Sequence, residues 1–465
     1  MARVKVSHQI EINEYEIPPL ILKRIKNDLK LPNPDYQQAM KFGQNHFKKP
    51  PEFIELYRSE DKSLILPRGY GSKLLKYLRD AGTPYTLQDE RLVLPQVDFN
   101  STIQLRNYQE AAVNQLIKWK QGGVVAPCGA GKTMIMLEAM ARIGQPALWI
   151  THTKELADQV IERAHDVFDI AINEIGFIGD GKFKVGNRLT VALIQTLSKA
   201  DMDEFKNKFG AIFIDEAHHL AARSFFHPIG QFPALYRLWV SATPDRADGL
   251  TTMVFAAGGQ IVHTIDQSEV PTIIPKLHVV ETNYPFIEDD YVNIIGDLIR
   301  NTERNELIVE TIASQAEGNY SLVLSDRTEH LYILKDLLQE ALPNKTVEIL
   351  TGTMKKKERA DVMERTKNKQ VDILLATQLA REGLDIVHLN RLFLATPKRA
   401  AGAVQQEVGR VMRPAIGKTE AFVFDFWDSK NPILKSQFWK RREVYRKIGM
   451  DYQPGQRYVA QSRSV

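Results

Sequence analysis

The stretch that decides the fold is Gly123-Val124-Val125-Ala126-Pro127-Cys128-Gly129-Ala130-Gly131-Lys132-Thr133. Four small or apolar residues read as a buried strand, and the run from Met134 onward reads as a helix. Between them lies a glycine-rich turn ending in Lys-Thr, the pattern of a phosphate-binding loop, with Ala126 where its first glycine usually stands. Gly129 and Gly131 let backbone N–H groups turn inward around phosphate oxygens at a helix N-terminus. Lys132 then reaches the β and γ phosphates of a nucleotide, and the Thr133 hydroxyl can ligate Mg²⁺.

Outward from this loop the chain alternates short apolar runs with helical segments. One set comprises 123–126, 147–150, 190–194, 211–214 and 238–240; a second comprises 321–324, 347–350, 372–375, 391–394 and 421–424. Near-continuous apolar runs separated by helices are the mark of parallel strands covered on both faces, so the pattern predicts two α/β domains. The strand at 211–214 runs into Asp215-Glu216-Ala217-His218. A carboxylate at the C-terminal end of a parallel strand beside the loop is where such a sheet holds its metal. Asp215 is therefore the expected second Mg²⁺ ligand, and Glu216 the group that orients or deprotonates an attacking water. His218 and His219 do not make a metal pair, because adjacent side chains on a helix diverge.

With these residues in view, a family can be named. Leu105-Arg106-Asn107-Tyr108-Gln109 resembles the LRxYQ signature of superfamily-2 helicases, and Ser241-Ala242-Thr243-Pro244-Asp245-Arg246 resembles motif III of their XPB-like branch, which includes phage branch-migration helicases of the UvsW type. The resemblance spans residues of about 103 to 428. It implies two tandem RecA-like domains, with ATP and Mg²⁺ as cofactors. Gln109 is then expected to read the adenine edge, with Arg106 near the base. Gln406-Glu407-Val408-Gly409-Arg410-Val411-Met412-Arg413 resembles motif VI, whose arginines, here Arg410 and Arg413, reach the γ-phosphate as fingers. Ala376 to Asp385 resembles motif V, which implies Gly383 and Asp385 at the nucleotide and Thr377 on a nucleic-acid strand. Thr151 and Lys154 (motif Ia), Thr196, Arg327 (motif IV) and Thr351 complete the implied strand track, binding backbone without reading bases.

The remaining sequence bounds the context. Net charge is +4, with 43% apolar and 25% charged residues. No uncharged apolar run is long enough for a membrane span, and the single cysteine, Cys128, rules out an internal disulfide. A monomer in a reducing cytoplasm, prokaryotic or of a phage host, is expected. Four segments are expected: 1–98, a small α+β accessory domain; 99–268 and 269–430, the two RecA-like domains; and 431–465, a basic tail. From Lys430 onward nine basic residues face two acidic ones, a net of +7, suited to phosphates. The accessory domain carries Leu66-Pro67-Arg68-Gly69, similar to N-terminal modules of phage relatives. The expected activity is ATP-dependent unwinding or branch migration of forked and junction DNA, single-stranded and duplex, with RNA left open. The alternatives are a duplex translocase without strand separation, and an ATP-gated clamp.

Overall fold

The computed structural model describes residues 1–41, 50–127, 129–217, 223–242, 249–285, 290–377, 386–397 and 401–450. Cys128, His218, His219, Thr243 to Arg246, Gly383 and Asp385 lie outside the described residues. The chain divides into two compact units, Met1–Glu269 and Val270–Val465.

Among the described residues the first unit holds two larger sheets and a two-stranded one, Lys30–Pro32 with Phe53–Glu55. Near the N-terminus, strands run in the order Arg58–Glu60, Ser63–Pro67, Gln9–Asn13, Ala2–Val6, Tyr85–Asp89. Alternation is strict along Gln9–Asn13 and Ser63–Pro67: Ile10, Ile12, Leu64 and Leu66 are buried while the residues between are not. That period of two fixes one face on the core. Helices Pro19–Asp28 and Gly71–Asp80 cover that face with Ile25, Leu74 and Leu78. Pro19 suits the first helical turn, where its missing N–H is not needed.

The second sheet of this unit is larger. Its order is Lys182–Lys184, Gly176–Gly179, Leu189–Leu193, Ala147–Thr151, Ala211–Ile214, Tyr236–Ser241, Gln121–Val125, Ile261–Thr264. All pairings are parallel except the edge hairpin of 176–179 with 182–184. Ala147–Thr151 and Ala211–Ile214 are buried along their whole length, as strands covered on both faces must be.

The second unit is built on a six-stranded, fully parallel sheet. The order is Lys276–Glu281, Phe422–Trp427, Arg391–Leu394, Ser321–Leu324, Ile373–Ala376, Val347–Leu350. Residues 432–447, assigned above to a basic tail, belong to this core instead. They form a helix, Pro432–Lys447, capped by the Asn431 side chain, which accepts from Ile433 N and Leu434 N. Phe438, Val444 and Tyr445 are buried in the sheet's core, and Arg441 forks onto Asp425 at 2.8 Å from both Nε and Nη2. A charge count could not reveal this, because one of the counted cations is an internal ion-pair partner.

Candidate active site

In a parallel sheet the strand ends at one edge form a shelf for ligands. Gln121–Val125 delivers the glycine-rich loop to that edge, and Ala211–Ile214 delivers Asp215 to the same edge two strands away. Gly129 and Gly131 take left-handed backbone angles, φ 86° and 77°. Gly131 caps the helix Lys132–Ile143, so the first N–H groups of that helix face the loop. An alanine at 131 is excluded twice: by φ, and because its Cβ would lie 2.4 Å from Gln109 Nε2.

Gln109 is buried and wired to the loop. Its Nε2 donates to the Ala130 carbonyl at 2.8 Å, and its Oε1 accepts from Arg106 N at 2.9 Å, which caps helix Asn107–Trp119. Arg106 Nη1 donates to the Tyr108 hydroxyl at 3.2 Å. The sequence assigned Gln109 to a base; here the same amide ties the helix N-terminus to the phosphate loop.

Lys132 Nζ lies 3.3 Å from Glu216 Oε1, both side chains largely buried. Asp215 Oδ1 accepts from Glu216 N at 2.9 Å, and Glu216 itself adopts φ 48°, a left-handed conformation that non-glycine residues seldom take. That reversal brings both carboxylates to the strand end. The Asp215 carboxyl is pushed up to about 6, first by burial and then by the neighbouring Glu216 charge, while Lys132, the Glu216 N–H and His152 pull it down. A buried carboxylate raised by a like charge, with the Thr133 hydroxyl at the start of the facing helix, forms a hard-oxygen donor set. It fits Mg²⁺, which takes one or two carboxylates and completes its shell with phosphate and water. When bound, the ion would neutralise phosphate charge.

The residues expected to bind a strand follow strand ends as well. Thr151 ends its strand but is 2% exposed, and among the described residues its Oγ1 has no hydrogen-bond partner, so its hydroxyl does not meet solvent here. Lys154 opens helix Lys154–Phe168, paired with Asp158 and 4.2 Å above the Phe177 ring. Thr196 lines an open groove with Gln195, Lys199 and Phe183. Gln195 Nε2 donates to the His152 carbonyl at 2.7 Å, joining the segments that follow two neighbouring strands.

In the second unit, Arg327, Thr351 and Thr377 follow the adjacent strands Ser321–Leu324, Val347–Leu350 and Ile373–Ala376. Arg327 is exposed, whereas Thr351 and Thr377 are buried; Thr351 Oγ1 is 3.0 Å from Thr353 Oγ1. Arg410 lies in helix Ala401–Val411 and Arg413 just beyond it, both half-buried. Two supports escaped the sequence reading. Lys418 Nζ donates to the Arg413 carbonyl at 2.9 Å, its ammonium lowered to about 8 by burial and then by Arg413. His330 is buried and neutral, lowered to about 3 by burial; its ring bridges Ser325 Oγ at 3.0 Å and Asn305 Oδ1 at 2.9 Å. Each also bonds a distant residue, Lys418 the Val387 carbonyl at 3.2 Å and His330 the Asn305 amide oxygen, and no local spacing marks those contacts.

Residues 102–246 match the family model described as Type III restriction enzyme, res subunit, and residues 303–415 match Helicase conserved C-terminal domain. A relative in Acanthamoeba polyphaga mimivirus, whose name carries the words ATP-dependent RNA helicase, is 28% identical over 97% of this chain and 86% of its own length. The DNA 3'-5' translocase XPB2 of Sulfurisphaera tokodaii is 27% identical, covering 51% of this chain and 58% of its own. Among solved structures, Saccharomyces cerevisiae Dbp5 bound to RNA and ADP BeF3 aligns with TM-score 0.55 at 16% identity, over 74% of this chain and 88% of that one. That likeness concerns the fold of paired RecA-like sheets.

Proposed function

Because the chain belongs to the XPB-like group of superfamily-2 helicases, ATP-dependent nucleic-acid helicases or translocases, we propose that it acts on DNA, unwinding forks and migrating branched junctions. The observation that carries the chemistry is the strand-end pair Asp215–Glu216 with Lys132 3.3 Å from Glu216. In this reading the Lys132–Glu216 pair opens when a nucleotide binds. Lys132 turns to the phosphates, and Glu216 is released to take a proton from the attacking water. Asp215 and Thr133 would hold Mg²⁺. Arg410 and Arg413 stabilise charge spreading over the transferred phosphoryl group. Gln109 serves the nucleotide through the loop it braces as well as through the base. Thr196, Lys154 and Arg327, which reach the surface, bind strand backbone through their side chains, and the buried Thr151, Thr351 and Thr377 shape the strand ends beside them, so the enzyme tolerates any sequence.

A second reading, translocation on intact duplex, is favoured by the restriction-enzyme family model over residues 102–246 and by a relative named as a translocase. ATP-dependent assays on forked DNA, a Holliday junction, an RNA duplex and a triplex separate the readings. Strand displacement on fork and junction supports the proposal. Triplex displacement without unwinding supports duplex translocation, and activity confined to RNA overturns the DNA assignment.

A further inference from the structure

Arg68 and Arg237 are buried in the first unit, 3% and 1% exposed. Among the described residues, each of their hydrogen bonds goes to a neutral oxygen. Arg68 donates from Nε to Gln121 Oε1 at 2.7 Å, from Nη1 to the Ala234 and Ser7 carbonyls at 2.5 and 3.5 Å, and from Nη2 to the Leu235 carbonyl at 3.3 Å. Arg237 donates from Nη1 to the Ala257 carbonyl at 3.0 Å and from Nη2 to those of Phe232 and His8 at 2.8 and 3.4 Å. Its Nε is buried with no hydrogen-bond partner among the described residues. Carbonyls satisfy the N–H geometry but carry no charge to set against two guanidinium ions. Buried charges are as a rule paired. The same chain follows that rule elsewhere: the buried Arg304 and Arg441 each bind an aspartate, Asp428 and Asp425.

Both of these arginines line one cleft, where the N-terminal sheet meets the helices Arg223–Gly230 and Thr251–Gly258. The sequence string Leu66-Pro67-Arg68-Gly69 makes this seam: a Cβ on Gly69 would lie 2.0 Å from the Phe255 carbonyl, so the two layers touch backbone to backbone. The other ionisable lining residues are His8, Arg58 and His227, and among the described residues no carboxylate lines the cleft. Asp89 acts on Arg68 from a distance, but Arg91 forks onto its carboxylate at 2.8 and 2.6 Å. Glu60 is bound to the exposed Arg58 at 3.0 Å. His8 is held below its usual range by burial and then by Arg237, Lys206, Arg58 and Arg68, the mark of a positive field. The cleft's volume is about 230 Å³. That is below the roughly 300 Å³ at which sites for drug-sized ligands begin, so the cleft suits a small group.

We propose that this cleft binds a phosphate group, carried on a nucleic-acid backbone or free, as the counter-charge that Arg68 and Arg237 lack. The proposal stands apart from the ATPase reading, and it gives the first hundred residues a role: they form one wall of a phosphate site on the motor.

The test uses the full chain carrying Lys132→Ala, so that the glycine-rich loop does not report. Two further variants alter the cleft. Gly230 lines it, and a Cβ there meets nothing within 4 Å, so Gly230→Leu starts its side chain in open space and adds bulk to the cleft. His227→Glu supplies a built-in carboxylate at the rim. Inorganic phosphate is titrated calorimetrically, and a labelled duplex is titrated by anisotropy at fixed ionic strength. Phosphate should bind the Lys132→Ala protein, and about tenfold or more weakly once either cleft variant is added. A parallel loss of duplex affinity identifies the backbone as source, whereas unchanged duplex affinity identifies free phosphate. Absence of phosphate binding, or equal binding with and without both cleft variants, overturns the proposal.

Discussion

Trp239 is a bulky residue in the strand that leads to Ser241, and the structure shows what admits it. In the parallel register Trp239 sits beside Gly123, in the strand that feeds the phosphate loop. A Cβ on Gly123 would lie 1.9 Å from Trp239 Cδ2 and 2.0 Å from Cε2, and one on Gly258 would lie 2.5 Å from Cδ1. The indole N–H donates to the Gly259 carbonyl at 3.0 Å, and the ring is fully buried. Gly123→Ala must therefore displace the indole or push the strands apart. Overpacking of this kind costs about 1–3 kcal/mol, and losing the buried indole hydrogen bond adds about 1 kcal/mol. A total of about 2–4 kcal/mol in a unit of this size lowers its melting temperature by on the order of 10 °C. Trp239→Ala alone empties a cavity and costs about 3–5 kcal/mol. In the double variant the new methyl enters that cavity, so its loss should equal that of Trp239→Ala alone, a coupling of about 2–4 kcal/mol. The chain has two units, so the readout is the thermal transition that added nucleotide raises, followed for all four proteins. A Gly123→Ala protein that melts with the wild type, or a double variant that loses the sum of the singles, refutes the packing argument.

Three further outcomes are expected. Asp215 holds its proton more tightly folded than its ordinary 3.8, up to about 6, so its contribution to stability falls as pH rises from about 4 to about 6. The carboxylate that takes Mg²⁺ is correspondingly lost below about pH 6: Mg²⁺-dependent affinity for a fluorescent nucleotide should drop there in the wild type but not in Asp215→Asn, and identical profiles would contradict the assignment. Asp428 accepts from Thr282 Oγ1 at 2.6 Å and Arg304 Nε at 2.8 Å, fully buried, so Asp428→Asn should destabilise the second unit by about 3–5 kcal/mol, whereas Arg304→Met with Asp428→Leu recovers most of it; equal melting of wild type and Asp428→Asn would count against this. On helix Pro432–Lys447, Lys435, Lys440, Arg446 and Lys447 are exposed, and replacing them with alanine should flatten the dependence of log affinity on log salt by about 0.9 for each duplex-DNA phosphate they neutralise. An unchanged slope removes this face from the nucleic-acid site.

The fold was legible where burial is two-sided. Strands 211–214, 321–324, 347–350 and 391–394 have the ends their apolar runs predict, because every position but the half-buried Glu348 is covered. Strands with one open face gave no such run. Lys182–Lys184 and Ile261–Thr264 are edge strands with exposed residues, and the N-terminal strands alternate apolar and charged side chains. Helix Pro432–Lys447 was obscured by its charge, although Phe438 and Tyr445 lie seven apart on one buried face. At the site, the glycine-rich loop and the strand-end acids were legible because their chemistry is local in sequence. Contacts such as Gln109 to Ala130, Arg68 to Ala234 and Gly123 against Trp239 join distant segments, and no periodicity encodes them.

The most direct test of the account is nucleic-acid-stimulated ATP hydrolysis by the wild type, Lys132→Ala and Glu216→Gln proteins. DNA should stimulate turnover in the wild type. Lys132→Ala should abolish turnover together with nucleotide binding. Glu216→Gln should abolish turnover while nucleotide still binds, because it removes the base and leaves Asp215 and Lys132 in place. Unchanged turnover in both variants would contradict the motor.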